Sequence, residues 1–273
     1  MSQPPGVLYS QEGRILRLTS STNRHMAKPR HLRNAPITEA LFDIRVKMRS
    51  GFDLGHFSHL KAALADRFPK VEERRGGQFT LRFPPDPDSP PAFQELGLQG
   101  YFFKNASEDV IVQFRGDGFT LNKLKPYSSW DELLPAALDL WGLYQATSSP
   151  EAVTRLALRY INHIALPYER VDFDQFFTAA PQVPPELPQL LRGFLYRVTI
   201  VNPEAELAAH VVQALEPAVP QPGVTVILDI DSFRDVDLLP SDRQIEDHFK
   251  ELHEFKNMVF FSYLTEETIR LFE

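Results

Sequence analysis

The sequence predicts an α+β fold in which a curved, mainly antiparallel sheet carries helices packed on one face. Three observations predict it: strands with alternating apolar and polar residues, amphipathic helices with capping signals, and a repeated order of these elements. A strand, a helix, three strands and a closing helix are expected in residues 36–145, and the same series in residues 152–262. We therefore expect an internally duplicated unit and a joined sheet of about eight strands.

The first half is predicted to begin with one strand and one helix. In residues 39–47, apolar side chains occupy every second position and mostly charged ones lie between them. Residues 53–68 carry apolar side chains at helical spacing, and Pro69 marks the end of this helix. A proline-rich loop at 84–91 cannot pair within a sheet. Three strand-like runs surround it, at residues 78–83, 101–104 and 110–121.

The closing helix of the first half has a clear start. Ser129 is followed three residues later by Glu132, which is the spacing of a capping box, and an apolar stripe extends from there to Tyr144. Upstream, the Gly-Asp-Gly sequence at residues 116–118 predicts a hairpin turn, because the residues around it have a strand pattern.

The second half repeats the series. Residues 155–164 predict a strand with one apolar and one polar face, and residues 172–192 predict a helical segment interrupted by prolines. Ser241 and Gln244 have the spacing of a second capping box, which would open the long closing helix. Three strands are expected between these helices, at residues 195–201, 206–215 and 223–233.

The charge of the chain is uneven. Of the formal net charge of −7, residues 1–33 carry +5 from six basic and one acidic side chain, which leaves −12 on the remainder. We expect residues 1–28 to form a flexible basic N-terminal extension, or to lie largely ahead of a translation start at Met26. Residues 29–273 are expected to form a single globular domain. Its acidic body argues against broad binding to nucleic-acid phosphates.

Composition bears on the location of the protein. The chain contains no cysteine, and residues 1–13 lack the charged and apolar regions of a secretory signal. The longest apolar runs are strand-sized and fall short of the ~20 residues that span a bilayer. A cytoplasmic location and no membrane partner are therefore expected.

A pair of carboxylates is the first candidate site. Asp229 and Asp231 lie on the same face of a predicted strand, about 6.6 Å apart at about 3.3 Å per residue. Oxygen ligands of this kind suit Mg²⁺ or Ca²⁺, so a metal-dependent enzyme is one alternative. The other interpretation is that Arg155, Arg159 and Arg197, on facing strands, pair with the two carboxylates.

A second candidate site lies where a strand leads into the capped helix. Free N–H groups and the dipole at a helix start favour an anion. The structural alternative is that Tyr127 sets the angle at which the chain enters the helix while Trp130 packs in the core. Asn162, on a second-half strand, is a further candidate that could instead satisfy internal hydrogen bonds. The cationic, amide and phenol groups near this junction are Arg115, Asn122, Lys125 and Tyr127.

Four separated motifs carry a resemblance. They are Asn-Ala-Pro-Ile-Thr-Glu-Ala at residues 34–40, Asn-x-Leu-x-Pro-Tyr-x-x-Trp within 114–130, Arg-Tyr-Ile-Asn-His-Ile at 159–164 and Phe-Phe-Ser-Tyr-Leu-Thr at 260–265. Together they resemble a sporadically distributed bacterial family of uncharacterised proteins, over residues 29–272. The resemblance implies that the whole body forms one unit. It implies no activity.

These patterns favour a bacterial cytosolic binding or regulatory module that presents the polar face of a doubled sheet to a small molecule or protein. No catalytic residue, metal or cofactor is expected, because P-loop, Gly-x-Ser-x-Gly and His-Glu-x-x-His motifs do not occur. His248 and His253 are assigned no role. Nucleic-acid binding through the basic extension and Lys123–Lys125 is a weaker alternative. Edge strands that pair between chains would allow a homodimer.

Overall fold

A computed structural model of the protein describes residues 26–80, 92–166, 171–179, 181–216, 223–241 and 243–273. Nine antiparallel strands form one open sheet in the order β2-β3-β4-β5-β1-β6-β9-β8-β7. The strands are β1 (Ile37–Lys47), β2 (Lys70–Thr80), β3 (Ala92–Lys104), β4 (Val110–Arg115), β5 (Gly118–Leu124), β6 (Ala152–Leu166), β7 (Leu195–Asn202), β8 (Leu207–Leu215) and β9 (Val224–Leu238).

Two long helices and several short ones accompany the sheet. A 3-10 helix at Leu54–His59 leads into α1 (Leu60–Leu64), and the others are α2 (Trp130–Ser148), α3 (Phe173–Phe176), α4 (Gln244–Tyr263) and α5 (Glu266–Arg270). None of the helices within the described ranges is long and apolar enough to cross a membrane.

The core lies between the sheet and the two long helices. On β1, the predicted buried face is confirmed, since Ala40, Phe42 and Ile44 are at most 1% exposed. Phe42 contacts both helices, because its ring centroid lies 5.5 Å from that of Trp130 in α2 and 5.0 Å from that of Phe249 in α4. The central strand therefore joins the cores of the two halves.

The two capping predictions have different outcomes. At α2 the Ser129 hydroxyl accepts a hydrogen bond from the backbone N–H of Glu132 at 3.2 Å, as predicted. At α4 the capping box is wrong: Arg243 precedes the helix with a helical backbone and makes no side-chain cap. Ser241 is exposed and lies in the turn ahead of the helix.

Other element predictions need correction. The predicted helix at 172–192 is a single turn, α3, because four prolines in residues 181–188 lack the N–H groups that a helix requires. The predicted strand at 110–121 is two strands, β4 and β5, divided at residues 116–117 by the hairpin turn that the Gly-Asp-Gly sequence predicted. The predicted proline-rich loop lies within residues 81–91, outside the described ranges.

The two halves share a connection order but differ in strand number. In each half the first strand pairs with the last, β1 with β5 and β6 with β9. The first half has five strands and the second has four, against four predicted for each.

The start of the described chain contacts its end. Of the predicted extension, residues 1–25 lie outside the described ranges. Met26 forms a bridge with Thr265, and the backbone N–H of Ala27 donates to the Leu264 carbonyl at 2.9 Å. The following segment is held by Arg30, which pairs with Glu266 and Glu273.

Gly118 lies where the backbones of β1 and β5 are in close contact. A Cβ atom at this position would lie 2.2 Å from the carbonyl oxygen of Ile44, a backbone atom that cannot move alone. We expect Gly118→Ala to lower the free energy of unfolding by about 2 kcal/mol or more.

Gly142 is the matched control, because a Cβ there has nothing within 4 Å. Gly142→Ala in the middle of α2 should raise the free energy of unfolding by up to about 1 kcal/mol. Urea denaturation of both variants measures the difference, and equal stability of the two would contradict the described strand pairing.

Candidate functional site

The open face of the sheet, opposite α2 and α4, is a network of paired charges. Arg115 donates to Asp43 at 3.0 Å, to Asp117 at 2.9 Å and to the Thr120 hydroxyl at 2.6 Å, and only 6% of its side chain is exposed. Burial alone would raise the pKa of Asp43, but Arg115, Thr120 and Arg45 outweigh it and hold the pKa below its ordinary value. These charges are therefore satisfied within the fold.

The two candidate carboxylates belong to the same network. Arg159 binds Asp229 through two hydrogen bonds of 2.8 and 2.6 Å, and Arg155 donates to Asp231 at 3.1 Å. Arg155 and Arg159 thus pair with the carboxylates as the sequence suggested, whereas Arg197 on β7 forms no ion pair with the described residues. Burial raises the pKa of Asp231 above its ordinary value in spite of Arg155.

Asn122, another predicted site residue, is also hydrogen-bonded within the open face. It lies there and not beside Lys125. Its Nδ2 donates to Glu39 at 2.6 Å, and its Oδ1 accepts from Gln113 at 3.1 Å. Within the described ranges, no group of three or more His, Asp or Glu side chains is placed to hold a metal ion.

A cavity of about 950 Å³ lies elsewhere, where the start of the described chain and the end of α4 meet the strand-to-helix junction. Of the predicted site residues, Lys125, Tyr127 and Asn162 line it, whereas the other six lie on the open face. The remaining walls come from residues 29–37, the first residues of α2 and the last turns of α4, including His253, Lys256, Asn257, Phe260 and Phe261.

Strand pairing places these walls together. Ile37 at the start of β1 lies opposite Asn162 on β6, and the backbone N–H of Lys125, just after β5, donates to the Thr38 carbonyl at 3.0 Å. The Asn162 amide donates to the Leu228 carbonyl at 2.9 Å, so it also ties β6 to β9. The segment before β1 is held by a 3.0 Å hydrogen bond from the backbone N–H of Asn34 to the carbonyl of Phe272.

Lys256 is the most unusual group in the cavity. Its side chain is buried, and its amino group lies 3.9 Å from the ring centroid of Tyr160 and donates to Asn257 Oδ1 at 2.6 Å. No carboxylate in the described part of the chain pairs with it. Burial lowers the pKa of Lys256 to about 7, so a large fraction of the amine is neutral near neutral pH.

Tyr160, whose ring contacts this amine, is hydrogen-bonded to a second tyrosine. The hydroxyl groups of Tyr127 and Tyr160 are 3.1 Å apart, and Tyr127 lines the cavity. Burial is the main reason that the pKa of each phenol lies above its ordinary value. Both therefore stay protonated at neutral pH and can donate a hydrogen bond.

His253 forms a stacked pair with Trp130. The ring centroids are 4.0 Å apart and the planes differ by 5°. Burial and the neighbouring Lys256 lower the pKa of His253 to about 3, which keeps the imidazole neutral. Its Nε2 lies 3.4 Å from the Asn257 amide, so Lys256, Asn257 and His253 form one polar chain on α4.

The cavity has a cationic lining. Arg30, Arg33, Lys125 and Lys256 line it, against one acidic residue, Asp131, and of these cations Arg30 is already paired with Glu266 and Glu273. Arg33 and Lys125 are exposed and have no ion pair within the described ranges. The lining therefore favours an anion.

Sequence reasoning missed the contribution of α4, although a signal was present. Lys256 continues the apolar stripe of that helix, since Ile245, Phe249, Leu252, Lys256 and Val259 recur at alternating spacings of four and three. A lysine at a core position of such a stripe is expected to be buried. His253 and Asn257 flank it on the same helix.

The four motifs of the family resemblance meet at this cavity. Residues 34–37, residues 125–130, Asn162 and the Phe260–Phe261 pair all lie in its wall. Comparison with protein-family models, curated proteins and solved structures finds no match.

Arg115 is expected to stabilise the fold through the open-face network. Arg115→Met would remove the buried partner of Asp43 and leave Arg45, 2.8 Å away, as its remaining close cation, so we expect the free energy of unfolding to fall by about 1–3 kcal/mol. Arg67→Met is the control, because its pair with Asp139 is exposed and should contribute less than about 1 kcal/mol. Similar losses in denaturant titrations of both variants would show that the network adds nothing.

Lys256 should make stability depend on pH. An unfolded lysine holds its proton up to its ordinary pKa, whereas folded Lys256 releases it near a pKa of about 7. The unfolded state thus binds more protons between these values, and stability should rise with pH from 7 to 9 by up to about 1.4 kcal/mol per pH unit.

Lys256→Met should remove this contribution. The exposed Lys250, which pairs with Glu246 on the same helix, provides the control variant Lys250→Met. Denaturant titrations at pH 7, 8 and 9 test the expectation. It fails if the difference between wild type and Lys256→Met does not change with pH.

Proposed function

We propose that the protein binds a small organic anion in the cavity beside Lys256. One observation carries this proposal: a buried amino group lines a cavity and has no carboxylate partner within the described chain. A buried charge is stable only when it is paired, and a carboxylate or phosphate of a ligand would supply the missing partner.

The size and lining of the cavity fit an organic anion better than a bare inorganic one. A volume of about 950 Å³ is in the range of ligand cavities. Phe260, Phe261 and Ile37 supply apolar surface, while Tyr127 supplies a hydroxyl donor. At the rim, the exposed Arg33 and Lys125 would attract anions and raise the rate of association.

Binding of an anion should be coupled to proton uptake. An anion next to Lys256 favours the charged amine and raises a pKa that burial has lowered to about 7. The protein would therefore take up a proton as it binds the anion near pH 8, and affinity would increase as the pH falls toward 7.

The open face is a less favourable binding surface. Its arginines and aspartates already pair with one another, so a ligand would have to break those pairs. The same pairing disfavours a metal-dependent reaction at Asp229 and Asp231.

We also propose that the protein belongs to the bacterial family, has a cytoplasmic regulatory role and forms a homodimer. We further propose that residues 36–145 and 152–262 descend from one duplicated unit. The shared pairing of first and last strands supports the duplication. Leu195 and Tyr196 on the edge strand β7 are exposed, which supports pairing between chains.

Thermal-shift and calorimetric titrations with aliphatic carboxylates, aromatic carboxylates and organic phosphates test the anion site. We expect at least one class to stabilise the wild type and Lys250→Met, with about tenfold or greater loss of affinity in Lys256→Met. Titration in two buffers of different ionisation enthalpy should reveal proton uptake at pH 8. The proposal fails if anions stabilise Lys256→Met as much as the wild type, or stabilise neither.

A further inference from the structure

We propose that Lys256 is a nucleophile that forms an imine with the carbonyl carbon of a 2-oxo acid or carboxylate-bearing aldehyde held in the cavity. The inference rests on the proposed anion site: with the carboxylate of such a molecule held at the rim by the exposed Arg33 and Lys125, its carbonyl group would meet the neutral amine of Lys256. It goes beyond anion binding, because it assigns a covalent step and a substrate class.

The first support is the position of the amine. Lys256 lies in the cavity wall, and its nitrogen donates to an amide oxygen, Asn257 Oδ1, instead of a carboxylate. Two lysines elsewhere in the fold differ: Lys123 pairs with Asp109, and Lys250 pairs with Glu246. Ion pairs of this kind favour the protonated amine, which has no lone pair to attack a carbonyl.

The second support is the low polarity around the nitrogen. Lys256 is 6% exposed and lies over the Tyr160 ring, so burial favours its neutral form near neutral pH. A desolvated lysine is a stronger nucleophile at neutral pH than an exposed one, because a far larger fraction of it is unprotonated. The same ring face would also stabilise the cationic protonated imine once it forms.

The chemical step is balanced without a cofactor. The nitrogen lone pair forms a bond to the carbonyl carbon, the C=O π electrons move to oxygen, and one proton passes from nitrogen to oxygen to give a carbinolamine. The nitrogen lone pair then forms the C=N bond as the hydroxyl group departs, and the second hydrogen of the amine leaves with that group as water. A carbonyl compound and an amine are consumed, an imine and water are produced, and nothing is oxidised or reduced.

We assign the proton of this step to Tyr127. This residue lines the cavity, and its hydroxyl is hydrogen-bonded at 3.1 Å to Tyr160, the residue whose ring contacts the amine. Because burial keeps the phenols protonated, the pair can donate to the departing hydroxyl group. At the rim, Lys125 and Arg33 can hold the carboxylate.

Borohydride trapping tests the inference on the full-length protein. Glyoxylate, the smallest 2-oxo acid, is added at pH 7 with sodium borohydride, which reduces an imine to a stable secondary amine. We expect intact-mass analysis to show one carboxymethyl group per chain, and peptide mapping to place it on Lys256. Modification should be at least about tenfold faster there than at any exposed lysine.

Variants at Lys256 and Lys250 show whether the adduct depends on the buried amine. Lys256→Met and Lys256→Arg should lose the rapid adduct, whereas Lys250→Met should retain it, with circular dichroism used to establish that each variant is folded. Modification spread over exposed lysines, with Lys256 unmodified in the folded wild type, would overturn the inference.

Failure of the imine and failure of the anion site are distinguishable. Unreactive carboxylic acids bind without forming an imine, so their binding to the wild type and adduct formation at Lys256 are separate readouts. If such acids bind the wild type and no adduct forms at Lys256, the anion site stands and the covalent step is wrong. If neither is observed, both are wrong.

Discussion

The antiparallel pairing of β1 with β6 is the constraint on which the rest of the structure depends. It joins the two halves into one sheet, and it places Phe42 where both long helices can pack on it. At one end of the pair, Ile37 and Asn162 form part of the cavity wall. On the open face, the same pairing brings Asp43 within 3.7 Å of Arg155 and so links the charge networks of the two halves. A change in register by one residue would exchange the two faces and remove both arrangements.

Charged side chains pair with one another on the open face of the sheet, whereas the helix side holds a buried lysine. This contrast supports the proposed anion site. On the open face, guanidinium groups and carboxylates satisfy one another, as in the paired hydrogen bonds between Arg159 and Asp229. On the helix side, Lys256 is buried beside Tyr160 without a carboxylate partner in the described chain. An unpaired buried lysine lowers the stability of the fold at neutral pH. Its presence in a cavity wall is explained more simply by a ligand than by folding.

Local patterns in the sequence predicted the faces of the strands but not every element. The alternation in β1 and the Ser129 cap follow from short-range chemistry, and both are present. β2 was missed over much of its length because Glu72, Glu73, Arg74 and Arg75 give an edge strand no apolar face to recognise. Within the site, Tyr127 and Tyr160 are 33 residues apart, and only the fold brings their hydroxyls together. Lys256 was detectable in principle, since it occupies a position of the apolar stripe of α4, but the cavity beside it depends on four separated segments.

The pKa of Lys256 in the folded protein is the most direct test of its burial without a carboxylate partner. Nuclear magnetic resonance of protein labelled with ¹³C at the lysine side chains, with Lys256→Met used for assignment, gives the pKa of this amine in the folded state. A pKa of about 7 is expected for Lys256, well below the values of the exposed lysines. A resonance that titrates with the exposed lysines, near their ordinary pKa of about 10.4, would contradict the proposed site.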